Sequence, residues 1–499
     1  MKTGLLRKAP FLAAFLAGAA MVLSFAPWDF SALTYLALFI FLLALTAEAQ
    51  PSPLILHYVF ALGLFGVGIS WIFISINTYG GASILLAGAL TGLFVLLWSL
   101  TFLPQALILK FLSGGTLLRG LPWFSIVWVL GEWFRGWFLT GFPWLYVGYA
   151  QGEGLIGGWA PFGGALLVSF VAVLLVELSV RCWRNKEIKW LGVIVGILLA
   201  SSLVSEQDFV REKGTLRIAG IQANLDQHTK WLPQQFESNL EAHTRLMGDL
   251  ENADLIVWSE ASLTRFADQA GRELEALDQW AASRKQGLII GVPSRDDAGY
   301  YNGVRGLGVA EGSYLKRHLV PFGEFVPLAP LLRGAIDFFD LPMSRNQPGP
   351  MDQVPITFLE HALSVSICYE VVNAELVRLS AVDPALMLTV SNDTWFGRSM
   401  GPEQHLEIAQ MRAREMGRSM FRVTNNGVTA LISNRGEVLA RLPSDGPGVL
   451  METVKLYEGK TPFAGWGHWP LITACLLLLG LGLAERLQIR SWVSRWRGP

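Results

Sequence analysis

Cysteine is scarce in this 499-residue chain, occurring only at Cys182, Cys368 and Cys475. Of the three, Cys368 alone falls in the polar part of the sequence, which excludes a disulfide inside that part and any CxxC metal or redox pair. Charge is scarce too. Only 16% of residues are charged against 52% hydrophobic, unlike the balance of a wholly soluble protein. The chain also lacks a basic cluster interleaved with aromatics, so nucleic acid is not an expected partner. His318, His361 and His405 form no metal-ligand spacing, and neither a metal nor any other cofactor is expected.

What is there is unevenly spread. Residues 1–204 carry 10 basic and 6 acidic side chains, whereas residues 205–465 carry 25 and 33. Apolar runs recur near 10–26, 30–47, 54–75, 82–105, 120–139, 161–180, 190–204 and 467–484. Several approach the roughly 20 residues that cross a bilayer core. The expectation is a multi-pass α-helical membrane domain of eight helices carrying one globular domain. Its divisions are 1–204 with seven spans, 205–465 outside the membrane, and 466–499 with the eighth span and a basic tail.

Orientation follows from the short loops. With the N-terminus inside, Lys2, Arg7, Lys8, Lys110, Arg119, Arg181, Arg184, Lys186, Lys189 and the arginines at 486, 490, 495 and 497 all face the cytoplasm. The outward loops near 27–29, 76–81 and 140–160 have no Lys or Arg, a strong positive-inside bias. Eight crossings then put 205–465 outside. Glu132 and Arg135, three apart on one predicted helix face, are either a wall of a lipid or substrate site or a structural pair near the interface.

The polar part alternates strand-like and helix-like segments, as in LRIAGIQANL (216–225), DLIVWSE (254–260), GLIIGVP (287–293), ALSVSICYE (362–370) and PALMLTVSND (384–393). A helix is expected over 401–419. This pattern predicts an α/β domain whose sheets are covered by helices. Glu260, Lys316 and Cys368 each fall at a strand end, where α/β sheets assemble sites. A neutral thiol is a poor nucleophile and needs a base such as Glu260. A fixed cation such as Lys316 suits the oxyanion that acyl transfer develops.

WSE (258–260), KRHLVPFGEFVP (316–327), ICYE (367–370), SNDTWFG (391–397), GPEQH (401–405) and TNNGVTA (424–430) together resemble the nitrilase superfamily. With GEWFRGW and TGFPW at 131–144, they resemble its apolipoprotein N-acyltransferase branch. The resemblance implies an αββα sandwich in the periplasm, held by eight helices in the bacterial inner membrane. It implies Cys368 as nucleophile, Glu260 as base and Lys316 as stabiliser of the tetrahedral intermediate. Glu324 would hold Lys316, Tyr369 and Glu370 match the family pattern after the nucleophile, and Asn392 and Trp395 would line the pocket. The donor would be a membrane phospholipid giving its sn-1 acyl chain, and the acceptor the α-amino group of a diacylglyceryl-modified apolipoprotein. A monomer is the expected state.

The segment 325–343 reads as an arm or lid at the interface, or else as a surface loop. Two rival functions were weighed from the same residues. One is a membrane-tethered amidase or nitrilase that uses water as second nucleophile. The other is a transporter with a non-catalytic outer domain, which would leave the Glu–Lys–Cys set without a task.

Overall fold

The computed structural model describes residues 2–47, 52–113, 117, 120–248, 250–326, 345–380 and 382–496. They form two compact units. One comprises residues 1–70, 88–207 and 465–499; the other comprises 71–87 and 208–464. Composition does not announce that 71–87 groups with the polar sequence.

The first unit is helical. Each of the eight apolar runs contains a helix, among them Ala32–Leu45, Pro53–Gly68, Trp123–Arg135 and Lys189–Ser205. Among the described residues, three helical stretches are long and apolar enough to cross a membrane: Ile84–Leu112, Leu155–Asn185 and Trp469–Gln488. A fourth qualifies if the pair Pro53–Gly68 and Trp71–Tyr79, bent by 50°, counts as one. Others, such as Ala9–Ser24, are shorter. The helices Lys2–Met21 and Pro53–Gly68 meet through reciprocal glycines. A Cβ on Gly18 would stand 2.1 Å from the Phe60 carbonyl oxygen, and one on Gly63 2.2 Å from that of Phe15, the close backbone approach that small residues permit.

The second unit is a four-layer sandwich. In chain order its strands are β1 (Val210–Gln222), β2 (Leu255–Trp258), β3 (Gly287–Gly291), β4 (Ser294–Asp296), β5 (Gly299–Tyr301), β6 (Gly303–Gly308), β7 (Ala310–Glu311), β8 (Ser313–Leu315), β9 (Ile356–Phe358), β10 (His361–Ile367), β11 (Leu386–Ser391), β12 (Met420–Thr424), β13 (Ala430–Ile432), β14 (Val438–Arg441) and β15 (Gly448–Gly459). One sheet runs β15-β1-β2-β3-β6-β8 and the other β14-β13-β12-β11-β10-β9-β7, with β4 and β5 as a separate hairpin. The inner strands β1-β2-β3 and β10-β11-β12 are parallel. The period of two explains the layering. In β2, Leu255 and Val257 join Val365, Leu388 and Phe421 between the sheets. Their neighbours Ile256 and Trp258 face the helices Phe236–Leu246 and Gly271–Ser283. Helices Ala374–Leu379 and Gly401–Met416 cover the other sheet. The long β15 runs antiparallel to β1 over twelve residues, a pairing between segments more than 200 residues apart that no local pattern announces.

Candidate active site

The parallel strands deliver the polar residues to one end of the sandwich. Glu260 follows β2 by two residues, in a turn whose next residue, Ala261, has φ +47°. The turn lies against the end of β3. A Cβ on Gly291 would stand 2.3 Å from the Ser259 carbonyl oxygen and 2.5 Å from the Ala261 nitrogen, so glycine there lets the carboxylate segment close down. Cys368 follows β10 directly and takes φ +50°, a strained backbone for a non-glycine residue. Because Ile367 pairs with Val390 across β10 and β11, Cys368 and Ser391 occupy adjacent strand ends.

Lys316 follows β8 and is 1% exposed. Its Nζ donates to Glu324 Oε1 at 2.8 Å and lies 3.5 Å from Glu260 Oε1. Glu324 Oε2 accepts from the Val320 backbone N–H at 2.8 Å, so the VPFG turn holds the carboxylate that holds the lysine. Asn302 joins the two acids, its Nδ2 donating to Glu260 Oε1 at 2.7 Å and Glu324 Oε1 at 3.3 Å. Sequence reasoning missed Asn302. It lies between β5 and β6, in a Gly- and Tyr-rich turn whose sequence carries no mark of the two acids it meets.

Burial pushes the Glu260 carboxyl above its ordinary value, Lys316 and Lys230 pull it down, and Glu324 pushes it up. Burial disfavours the Lys316 ammonium, but Glu324 and Glu260 outweigh burial and hold it above the usual lysine range. Burial, with the Glu260 charge, pushes the Cys368 thiol up to about 12, against the pull of Lys316. The thiol is therefore neutral near pH 7, and attack requires a base to take its proton.

Glu370 ties the nucleophile's turn to the lysine's strand. Its Oε2 accepts from Ile367 N at 2.8 Å, and its Oε1 from Arg317 N at 2.6 Å, His318 N at 3.2 Å and the Tyr314 hydroxyl at 2.9 Å. One buried carboxylate thus fixes the segments on either side of the cleft. Tyr369 stacks on His318 with ring centroids 5.6 Å apart. On the other flank, Asp393 is buried against Arg422 at 2.6 Å and His405 at 3.1 Å. Burial opposes its charge, but Arg422 and His405 hold it well below the usual carboxylate range. His405 Nδ1 also lies 3.1 Å from the Arg422 guanidinium. Asp393 and His405 come from SNDTWFG and GPEQH, the two motifs of the sequence that meet Arg422 here.

Asn392 is 5% exposed and donates to Gln227 at 2.7 Å. The Trp395 ring meets Tyr79 at 5.8 Å, and its carbonyl accepts from Ser75 Oγ at 2.7 Å. Trp71 packs edge-on against Phe396. These contacts explain why 71–87 belongs to this unit.

Glu132 and Arg135 lie in the helical unit, each 1% exposed. They are 3.9 Å apart. Glu132 accepts from the Trp128 indole and the Val147 backbone. The Arg135 guanidinium lies over the rings of Phe65, Phe102 and Tyr146. A second pair, Glu177 and Arg181 at 2.8 Å, was not foreseen. Arg181, read above as a loop cation, is buried and also donates to the Gly120 and Leu121 carbonyls. Residues 327–343 of the expected arm, with Arg119 and Arg497, lie outside the described residues.

Residues 17–178 match the family described as apolipoprotein N-acyltransferase N-terminal domain, and residues 217–460 the carbon-nitrogen hydrolases. An apolipoprotein N-acyltransferase of Pseudomonas syringae is 42% identical over 488 residues, covering 95% of this chain and 96% of that protein. Namesakes in Pseudomonas putida and Vibrio parahaemolyticus are 41% and 35% identical over 485 and 490 residues, covering 95% and 93% of this chain and 96% and 94% of theirs. Among solved structures, a carbon-nitrogen hydrolase superfamily protein of Xanthomonas campestris is 18% identical with a TM-score of 0.35, covering 48% of this chain and 90% of that one. With its two family regions in this order and relatives alike over nearly their whole length, the chain belongs to the apolipoprotein N-acyltransferase family.

Proposed function

We propose that the protein moves the sn-1 acyl chain of a membrane phospholipid to the α-amino group of an S-diacylglyceryl-cysteine at a lipoprotein N-terminus. The observation that carries the reading is a thiol held neutral on a strained turn, with a buried carboxylate–ammonium–carboxylate set coupled to it. Family membership supplies the substrate class. Glu260 accepts the Cys368 proton as sulfur attacks the ester carbonyl. The oxyanion is met by the Lys316 ammonium and the backbone N–H after the nucleophile. The C–O bond breaks, lysophospholipid leaves with the proton from Glu260, and the acyl group remains as a thioester. The lipoprotein amine then attacks, Glu260 takes its proton, the C–S bond breaks, and the proton returns to Cys368.

The helical unit is proposed to cross the bacterial inner membrane eight times, placing the sandwich in the periplasm beside the outer leaflet. The distribution of Lys and Arg among the short loops supports this direction. A reporter active only outside the cytoplasm should give signal when fused after residue 300 and none after residue 186. The catalytic reading is tested by mass spectrometry of the purified protein mixed with phospholipid. An acyl adduct is expected on Cys368 and lost in Cys368→Ala; turnover without that adduct would overturn the covalent step.

A further inference from the structure

One buried charge near the site has no part in that scheme. Lys230 is 1% exposed. Among the described residues its Nζ has no hydrogen-bond partner, and its one aromatic neighbour is the Trp231 ring, 5.5 Å away. Its backbone is pinned: the carbonyl accepts from Asn239 Nδ2 at 2.8 Å, and that group also donates to Thr264 Oγ1 at 3.1 Å. Lys230 is thereby fastened to the turn that carries Glu260, four residues before Thr264. The charge that acts on its ammonium is that of Glu260, on the turn to which its backbone is fastened, and His243, stacked on Trp258 at 4.4 Å, is its other titratable neighbour.

The charge balance explains why a second cation is needed. Glu260 faces Lys316, Glu324, Lys230 and Cys368. Lys316 is nearer Glu324, at 2.8 Å, than Glu260, at 3.5 Å. Two buried carboxylates thus share one ammonium, and a buried carboxyl without its own counter-charge takes up a proton and ceases to be a base. Lys230 is the one cation facing Glu260 that hydrogen-bonds no other acid among the described residues.

We propose that Lys230 is a positioning residue for the candidate base, its ammonium keeping the Glu260 carboxylate ionised and ready to accept the Cys368 proton. The proposal rests on Glu260 being the base. Burial pushes the Lys230 ammonium down to about 8, while the Glu260 charge holds it up, so it is charged at and below neutral pH. His243, pushed by burial down to about 4, is neutral there and does not compete.

The test is single-turnover acylation of Cys368 by a diacyl phospholipid in detergent micelles, from pH 5 to 9. It compares the full-length wild type, Lys230→Met and Lys230→Arg. Removing the cation raises the pH at which Glu260 ionises. The acid limb of the Lys230→Met profile should therefore move up by about one pH unit or more. Acylation at a pH on that limb should fall about tenfold, with recovery toward the wild-type plateau at higher pH, and Lys230→Arg should restore the limb. If Lys230→Met does not fold, Lys230→Gln carries the same expectation. A limb that stays in place in a folded, charge-free variant, whatever the loss of rate, would overturn the proposal. No acyl adduct on wild-type Cys368 at any pH would instead overturn the proposed function beneath it.

Discussion

Buried charge in the helical unit and buried charge at the candidate site are arranged in opposite ways. In the helical unit, acids and bases pair three or four residues apart on one helix, as Glu132 with Arg135 and Glu177 with Arg181. Each carboxylate has its own guanidinium, and neighbouring carbonyls, indoles or rings take up further valences. At the candidate site, Glu260, Cys368 and the Lys316–Glu324 pair come from three separate segments, and two carboxylates share one ammonium beside a neutral thiol. A closed local pair holds helices together. An open, non-local set leaves a proton with somewhere to go, which chemistry requires.

The sharpest way to break the contrast is to remove one member from each set. Arg135→Met leaves Glu132 as an uncompensated buried charge, which should cost about 3–5 kcal/mol of stability. Thermal unfolding of the purified protein should register that loss, and an unchanged melting temperature would mean that the pair is not structural. Lys316→Met should act on rate instead, lowering single-turnover acylation about 10²–10³-fold, equivalent to about 3–4 kcal/mol, with phospholipid binding near normal. Acylation at the wild-type rate would leave the oxyanion to backbone N–H groups alone.

Glu370→Gln tests the tie between the two halves of the cleft. An amide cannot accept at both ends, so at least one of its buried backbone or hydroxyl donors loses its partner, at about 1–3 kcal/mol. The expected outcome is a lowered melting temperature with slower acylation, since Cys368 and Lys316 both lean on this carboxylate; a loss of stability with full acylation would confine Glu370 to folding. The smallest effect concerns His318, which burial and the Lys316 charge push down to about 4. It is neutral across pH 6–9, so its titration adds no limb there. His318→Gln should leave both limbs of the acylation profile within about 0.3 pH unit of wild type, and a larger displacement would mean that the imidazole takes part in proton transfer.

Much of this was legible in the sequence because its causes are local. Buried strands such as LIVW and LMLTVS announce themselves by length and β-branched content, and the helix Gly401–Met416 by its start at GPEQH, with proline in the first turn, and its glycine stop at Gly417. Glu260, Lys316 and Cys368 stand out as candidates because each lies at a strand end within a specific motif. Asn302, Lys230 and the packing of His405 with Asp393 and Arg422 do not show in the sequence. A lone Asn, Lys or His carries no sequence mark of the partner it will meet from a segment many residues away.

The sequence by itself determined the split between an apolar helical part and a charged α/β part, because hydropathy and its period depend on neighbours in the chain. It also determined which three side chains to suspect. The tertiary structure alone decided that 71–87 joins the sandwich, that β15 pairs with β1, and that Asn302 bridges the Glu260 and Glu324 carboxylates. Those outcomes depend on which strand ends stack and which side chains lose their water there. Desolvation and through-space charge belong to the packed arrangement and have no counterpart in the order of residues.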